Sequence, residues 1–203
     1  ARLDALRAEG APVSEIALRP LDAADIGWLV ADTLRTDRDR VVALAQRVHE
    51  RTGGNPFFTG QFITELADEH LLLYDASTAR WTWDMARIDA LAEVDPGADG
   101  VVALMTQKLR RLPAATRAVL QQLACLGVQA ETVALATAAS CDADTLHALL
   151  HPAVAAGLLL QRQSLWVFPH DKVREAAYAQ IAPAARPRHH LQIARRMLAA
   201  MPS

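Results

Sequence analysis

Apolar side chains recur at spacings of three and four along the first third of the chain. Ile26, Leu29, Val30 and Leu34 make one stripe. Val41, Leu44, Ala45 and Val48 make a second, and Phe58, Phe62, Ile63 and Leu66 a third. Such spacing gathers residues on one helix face. It predicts a small bundle of three helices, at about 22–35, 38–52 and 56–70. Asp22 is a candidate cap, with Asp25 three residues on, and Asp37 is another. Between the second and third helices lies Gly53-Gly54-Asn55-Pro56-Phe57-Phe58. The glycines can turn the chain where other residues resist. Asn55 can cap the third helix, and Pro56 suits its first turn, where a missing N–H goes unnoticed.

Elsewhere the periodicity changes. Leu3 and Leu6 suggest a short helix ended by Gly10, and Val13 to Leu18 reads as a strand. A lone strand leaves its backbone groups unpaired, so this one is expected to be the edge of a sheet lying outside the chain. Leu71 to Tyr74 and Arg80 to Trp83 read as a hairpin. Its short loop argues against Asp75 as a metal-binding strand end. Residues 84–100, with Pro96, Gly97 and Gly100, read as a loop or linker. A helix over Val101–Leu112 ends in Lys108-Leu109-Arg110-Arg111, a basic cluster suited to the helix dipole. Helices follow from Pro113, near 131–138, and from Asp142. Leu158–Leu160 and Leu165–Phe168 then pair as a second hairpin. Three helices and a hairpin, at about 113–168, is the winged-helix order. A further helix opens at His170-Asp171, and an amphipathic one runs from Arg188.

Composition narrows the classes. The 203 residues are 52% hydrophobic and 22% charged, enough to bury a core. Lys+Arg 21 against Asp+Glu 23 gives a net charge of −2, with no global footprint for nucleic acid. The candidate recognition helix from Asp142 offers Asp142, Asp144, His147 and His151 but no arginine or lysine, so duplex DNA is not an expected partner. No apolar run approaches the length needed to cross a membrane. Cys125 and Cys141 lack metal-ligand spacing, no metal site is expected, and a reducing cytoplasmic setting is. His170, at a helix start, sits where anions are favoured.

Several motifs then fall in a familiar order: Ile16 to Leu21, Thr52 to Phe58, Leu71 to Trp83, Lys108 to Pro113, and Phe168 to Tyr178. In this order and spacing the chain resembles the C-terminal half of a STAND-type signalling NTPase, a branch of the AAA-like ATPases. More narrowly, it is similar to the ATPase module of large bacterial serine/threonine or histidine sensor kinases and of some adenylate/guanylate cyclase-linked regulators. The resemblance implies a mainly α fold: residues 1–20 the end of an NTPase core, 21–83 a helical lid with hairpin, 84–100 a linker, 101–182 a winged-helix domain, and 183–203 the start of a further helical region. It implies that Gly54-Asn55-Pro56 lays its proline on adenine, and that His170 reaches the ADP phosphate. Pro169 stands where immune-receptor relatives have methionine.

No Gly-x-x-x-x-Gly-Lys-Ser/Thr loop is present, and neither Lys108 nor Lys172 follows a glycine. The expectation is therefore a non-catalytic part of a nucleotide switch. It would carry no cofactor of its own, with ATP or ADP and Mg held by the parent protein. An NTPase core in cis and a downstream signalling or helical-repeat domain are its expected partners. The alternatives are a winged-helix transcription regulator and a helical scaffold for protein partners.

Overall fold

Caps and apolar stripes convert directly into helices. The computed structural model describes residues 7–8, 12–93 and 100–200. Within these, α1 (Ala23–Thr33), α2 (Arg38–Thr52) and α3 (Pro56–Asp68) lie where the stripes place them. Asp22 and Asp25 form a reciprocal capping box on α1. Asp37 stands at the N-cap of α2 but makes no side-chain capping bond, contrary to expectation.

The first hairpin is present: β1 (Leu72–Asp75) pairs antiparallel with β2 (Arg80–Trp83), Leu72 opposite Trp83. Asp75 shapes its turn, accepting from Ser77 N, Ser77 Oγ and Thr78 Oγ1 at 2.6 to 2.8 Å. These bonds hold its carboxyl down at about 2.

Two expectations need correction. Residues 12–20 form neither helix nor strand, so the remnant edge strand over Val13–Leu18 is not there. No strand lies beside them among the described residues to satisfy their backbone groups. The stretch 84–100 is not simply a linker, because it carries α4 (Met85–Glu93), anchored by fully buried Ile88. The readings on Leu3, Leu6, Gly10, Pro96 and Gly97 fall outside the described residues.

Then come α5 (Gly100–Arg111), α6 (Ala114–Leu126), β3 (Gln129–Glu131), α7 (Thr132–Ala139) and α8 (Ala143–Ala155). After these lie β4 (Leu160–Arg162), β5 (Leu165–Val167), α9 (Asp171–Ala179) and α10 (Arg186–Ala199). The expected three helices and hairpin are thus present, and Asp142 caps α8 through Thr145 N at 2.7 Å. The second sheet has a third strand that the sequence did not announce; its order is β3-β5-β4, all antiparallel. α10 folds back on α7, where Arg196 donates to the Ala138 carbonyl. The fold is mainly α, with two small antiparallel sheets. Among the described residues no helix is long and apolar enough to cross a membrane.

Apolar side chains gather in two clusters. Ile26, Val30, Leu44, Val48, Leu66 and Ile88 centre the first. Leu109, Leu120, Leu123, Leu146, Leu150 and Trp166 centre the second. Leu104 packs against both, and Phe57 of α3 reaches into the second.

A polar seam joins the two. Lys108 Nζ, buried, donates to the Gln61 carbonyl at 3.0 Å and to Gln61 Oε1 at 2.9 Å. Its ammonium lies 3.9 Å from the carboxylate of Glu65, which is 1% exposed. Arg111 reaches the same carboxylate at 3.0 Å and also pairs with Glu69. The charges face each other, yet neither Glu65 oxygen receives a well-directed hydrogen bond. Burial therefore dominates both groups, pushing the Glu65 carboxyl up and the Lys108 amine down.

Lys108→Met leaves the carboxylate underpaired and should cost about 3 kcal/mol in urea unfolding at neutral pH. Because the folded Glu65 carboxyl titrates above its ordinary 4.5, its favourable contribution is full below that value. It is lost as pH rises through the folded value. Glu65→Gln should therefore gain stability relative to wild type between pH 4.5 and neutrality; a pH-independent difference would refute the desolvated carboxylate.

Candidate functional site

The Gly53–Phe58 corner is fixed by backbone geometry. Gly53 ends α2 in the left-handed region, φ +59°, donating to the His49 carbonyl at 2.8 Å. Gly54 follows at φ +71°, and its carbonyl accepts from Leu21 N at 2.8 Å. A Cβ on Gly54 would lie 2.0 Å from the Leu21 carbonyl oxygen, whereas one on Gly53 would meet open space. The segment leading into α1 therefore crosses the corner in van der Waals contact with glycine backbone.

Asn55 caps α3 as its sequence position predicts. Its Oδ1 accepts from Phe57 N at 3.0 Å and Phe58 N at 3.3 Å. That double acceptance fixes the amide orientation and turns Nδ2 away from the helix. Pro56 occupies the first helical position with its ring exposed.

His170 caps α9, and its Nδ1 accepts from Lys172 N at 3.1 Å. Its ring lies nearly parallel to Phe57, centroids 5.8 Å apart at 11°, and tilts against Phe58 at 4.6 Å. Both aromatics follow Pro56 directly, so the corner forms the seat of the imidazole. His170 Nε2 comes within 3.5 Å of Asn55 Nδ2 across 115 residues of sequence. Asp171, next along, faces Arg174 at 3.7 Å.

The chemistry of this approach follows from the fixed donors. Lys172 N–H can only donate, so Nδ1 must present its lone pair and the neutral ring carries its proton on Nε2. Asn55 Nδ2 is also a donor. Two N–H groups thus point toward one place without satisfying each other, beside an exposed proline ring. Such a pair suits an oxygen acceptor, and most strongly an anionic one.

Of the residues singled out from the sequence, Gly54, Asn55 and Pro56 are consecutive, and His170 is brought against Asn55 and the two phenylalanines that follow Pro56. Sequence reasoning missed Phe57 and Phe58 as the seat of His170; two adjacent aromatics after a capped proline were the available signal. It also missed Leu21, whose backbone role leaves no side-chain mark. Among the described residues no group of three or more histidines, cysteines or acids could hold a metal.

Over 113 residues, 56% of the chain, the sequence is 30% identical to hybrid signal transduction histidine kinase G of Dictyostelium discoideum. The chain spans about 3% of that protein's length. No protein-family model and no solved structure matches the chain. The likeness is to a signal-transduction protein and extends to a fraction of it.

Two measurements test the geometry. Gly53→Ala should cost about 1 kcal/mol of stability from its left-handed backbone alone, and Gly54→Ala more than about 3 kcal/mol, because the Leu21 crossing must also open. Equal losses would remove the close approach. Imidazole 15N shifts of neutral His170 should show a bare Nδ1 and a protonated Nε2; the opposite tautomer would dissolve the pair of converging donors.

Proposed function

We propose that this chain is the regulatory lid and winged-helix part of a nucleotide-dependent signal-transduction ATPase. Pro56 lies against the adenine of bound ADP or ATP, held there by Gly54 and Asn55. His170 reaches toward the phosphates. The phosphate loop and Mg come from an NTPase core elsewhere in the parent protein, so this part is not itself the catalyst.

One observation carries the reading: donors from Asn55 and His170, unsatisfied by each other, converge beside the exposed ring of Pro56. Two others agree with it. Ile16 and Leu18 are 84% and 93% exposed, as expected of a segment that docks against a further domain. The likeness to a signal-transduction histidine kinase agrees with a signalling role.

The mechanism follows from two-state linkage. With ADP bound, its charge bridges the corner and the start of α9 and favours the closed arrangement. On exchange those contacts change, and the halves re-orient toward an output domain. A ligand shifts such an equilibrium only by the difference between its contacts in the two states. The DNA-reading alternative draws nothing from the geometry. α8 carries no lysine or arginine, and its His147 is held edge-on to Trp166 at 4.9 Å.

In the full-length protein, His170→Ala and Pro56→Ala should each speed ADP release, by about tenfold where one charge-assisted contact is lost. His170→Ala should also raise basal output. Unchanged nucleotide retention in both variants would sink the reading.

A further inference from the structure

A second candidate site lies at the other end of α2. An open groove of about 670 Å³ separates the α1–α2 turn from the tip of the β1–β2 hairpin. Trp28, Arg35, Arg38, Arg40, Arg80 and Trp81 line it, with Asp32 and Asp37 also present. The 15 residues of α2 put it roughly 20 Å from the Gly53–Phe58 corner. It is therefore not part of the His170 site.

No carboxylate among the described residues neutralises the arginines here, as carboxylates do for three arginines elsewhere. Arg19, Arg47 and Arg111 each lie within 3.3 Å of two carboxylates. Among the described residues, Arg35, Arg38, Arg40 and Arg80 have none within 4.0 Å. Two of them are laid on aromatic rings instead. The Arg38 guanidinium lies 3.9 Å from the Trp28 ring centroid, and that of Arg40 lies 5.6 Å from the centroid of Trp83. Arg40 is further held by Thr36 Oγ1 at 2.9 Å and the Trp81 carbonyl at 3.4 Å. A guanidinium on a ring face keeps N–H edges outward and loses rotamer freedom in advance.

The state of the rings decides which anion suits the groove. Arg38 covers a face of Trp28, Tyr74 sits against Trp81 at 5.5 Å, and Arg40 lies over Trp83. Single-stranded nucleic acid needs free aromatic faces for its bases and a basic track for its backbone. Here Arg38 takes one face of Trp28 and Tyr74 meets Trp81, so no run of free faces is presented to successive bases, and the chain as a whole carries −2. What remains open are the planar forks of Arg35, Arg38 and Arg80, which match carboxylates in bidentate geometry, and the N–H groups that Arg40 does not give to Thr36 and Trp81. Beside them, Trp28 is 60% exposed and Tyr74, which meets the lining Trp81, 55%, offering apolar contact.

We propose that this groove docks an acidic peptide segment of a partner protein, its aspartate and glutamate carboxylates received by Arg35, Arg38, Arg40 and Arg80. The partner's apolar side chains rest on Trp28 and the hairpin. The test is fluorescence anisotropy of the whole chain with a labelled oligoglutamate peptide. Oligolysine and oligothymidylate serve as competitors.

Oligoglutamate should bind, weaken with added salt, and lose about tenfold in affinity on the double substitution Arg38→Gln/Arg40→Gln. Arg80→Gln, across the groove on the hairpin, should weaken it separately, so the result does not hang on one variant's folding. Arg47→Gln, outside the groove, should leave binding intact. Absence of oligoglutamate binding, wild-type affinity in the double and Arg80 variants when circular dichroism shows them folded, or tighter binding of oligothymidylate would each overturn the proposal.

Discussion

The buried ammonium of Lys108 is the constraint on which the arrangement depends. It stands between two apolar clusters that could otherwise slide, since hydrophobic contact is not directional. Removed from water, it is satisfied in one place only, where the Gln61 carbonyl, Gln61 Oε1 and the Glu65 carboxylate converge. Such a pairing adds little net stability, because desolvation consumes most of the attraction. Its effect is on register: it sets α3 against α5, and α5 packs on α9. Since α9 begins at His170, the same register brings that imidazole onto Phe57 and within reach of Asn55.

The corner itself shows how a few residue types combine into a site. Glycine supplies the left-handed turn and the close backbone crossing. Asparagine supplies an acceptor for the helix and, by that commitment, an outward donor. Proline supplies a rigid exposed ring where the helix needs no N–H. The two phenylalanines bury the join and hold the histidine. Each contribution is local, yet the convergence of two donors exists only when the distant cap of α9 is seated there.

What was legible in the sequence was what local chemistry decides. Stripes and caps placed α1, α2 and α3, and the β-rich runs placed both hairpins. Asp142 and Asp22 cap as read. The strand over Val13–Leu18 was misread because alternation reports one side of a sheet and says nothing of a partner. α4 was missed because the acidic, Gly- and Pro-bearing stretch after it dominated the reading, while buried Ile88 is a single residue. Lys108 was read as a charge facing a helix dipole; only packing reveals that it is buried. The Arg–Trp groove was invisible for the same reason: its residues lie on α1, α2 and a hairpin, at spacings that follow no pattern.

Gln61 occupies a position with a consequence for movement. Its carbonyl and Oε1 receive Lys108, while its Nε2 reaches the carbonyl of Gly157 at 3.4 Å, a glycine at φ +67° on which a Cβ would come within 2.9 Å of that nitrogen. One amide side chain thus clasps both α5 and the turn between α8 and β4. Rotating the second half about the first strains the Oε1 and Nε2 ties together, because they share a single rotamer. The joint is built to let go all at once, so intermediate angles between its halves should be sparsely visited.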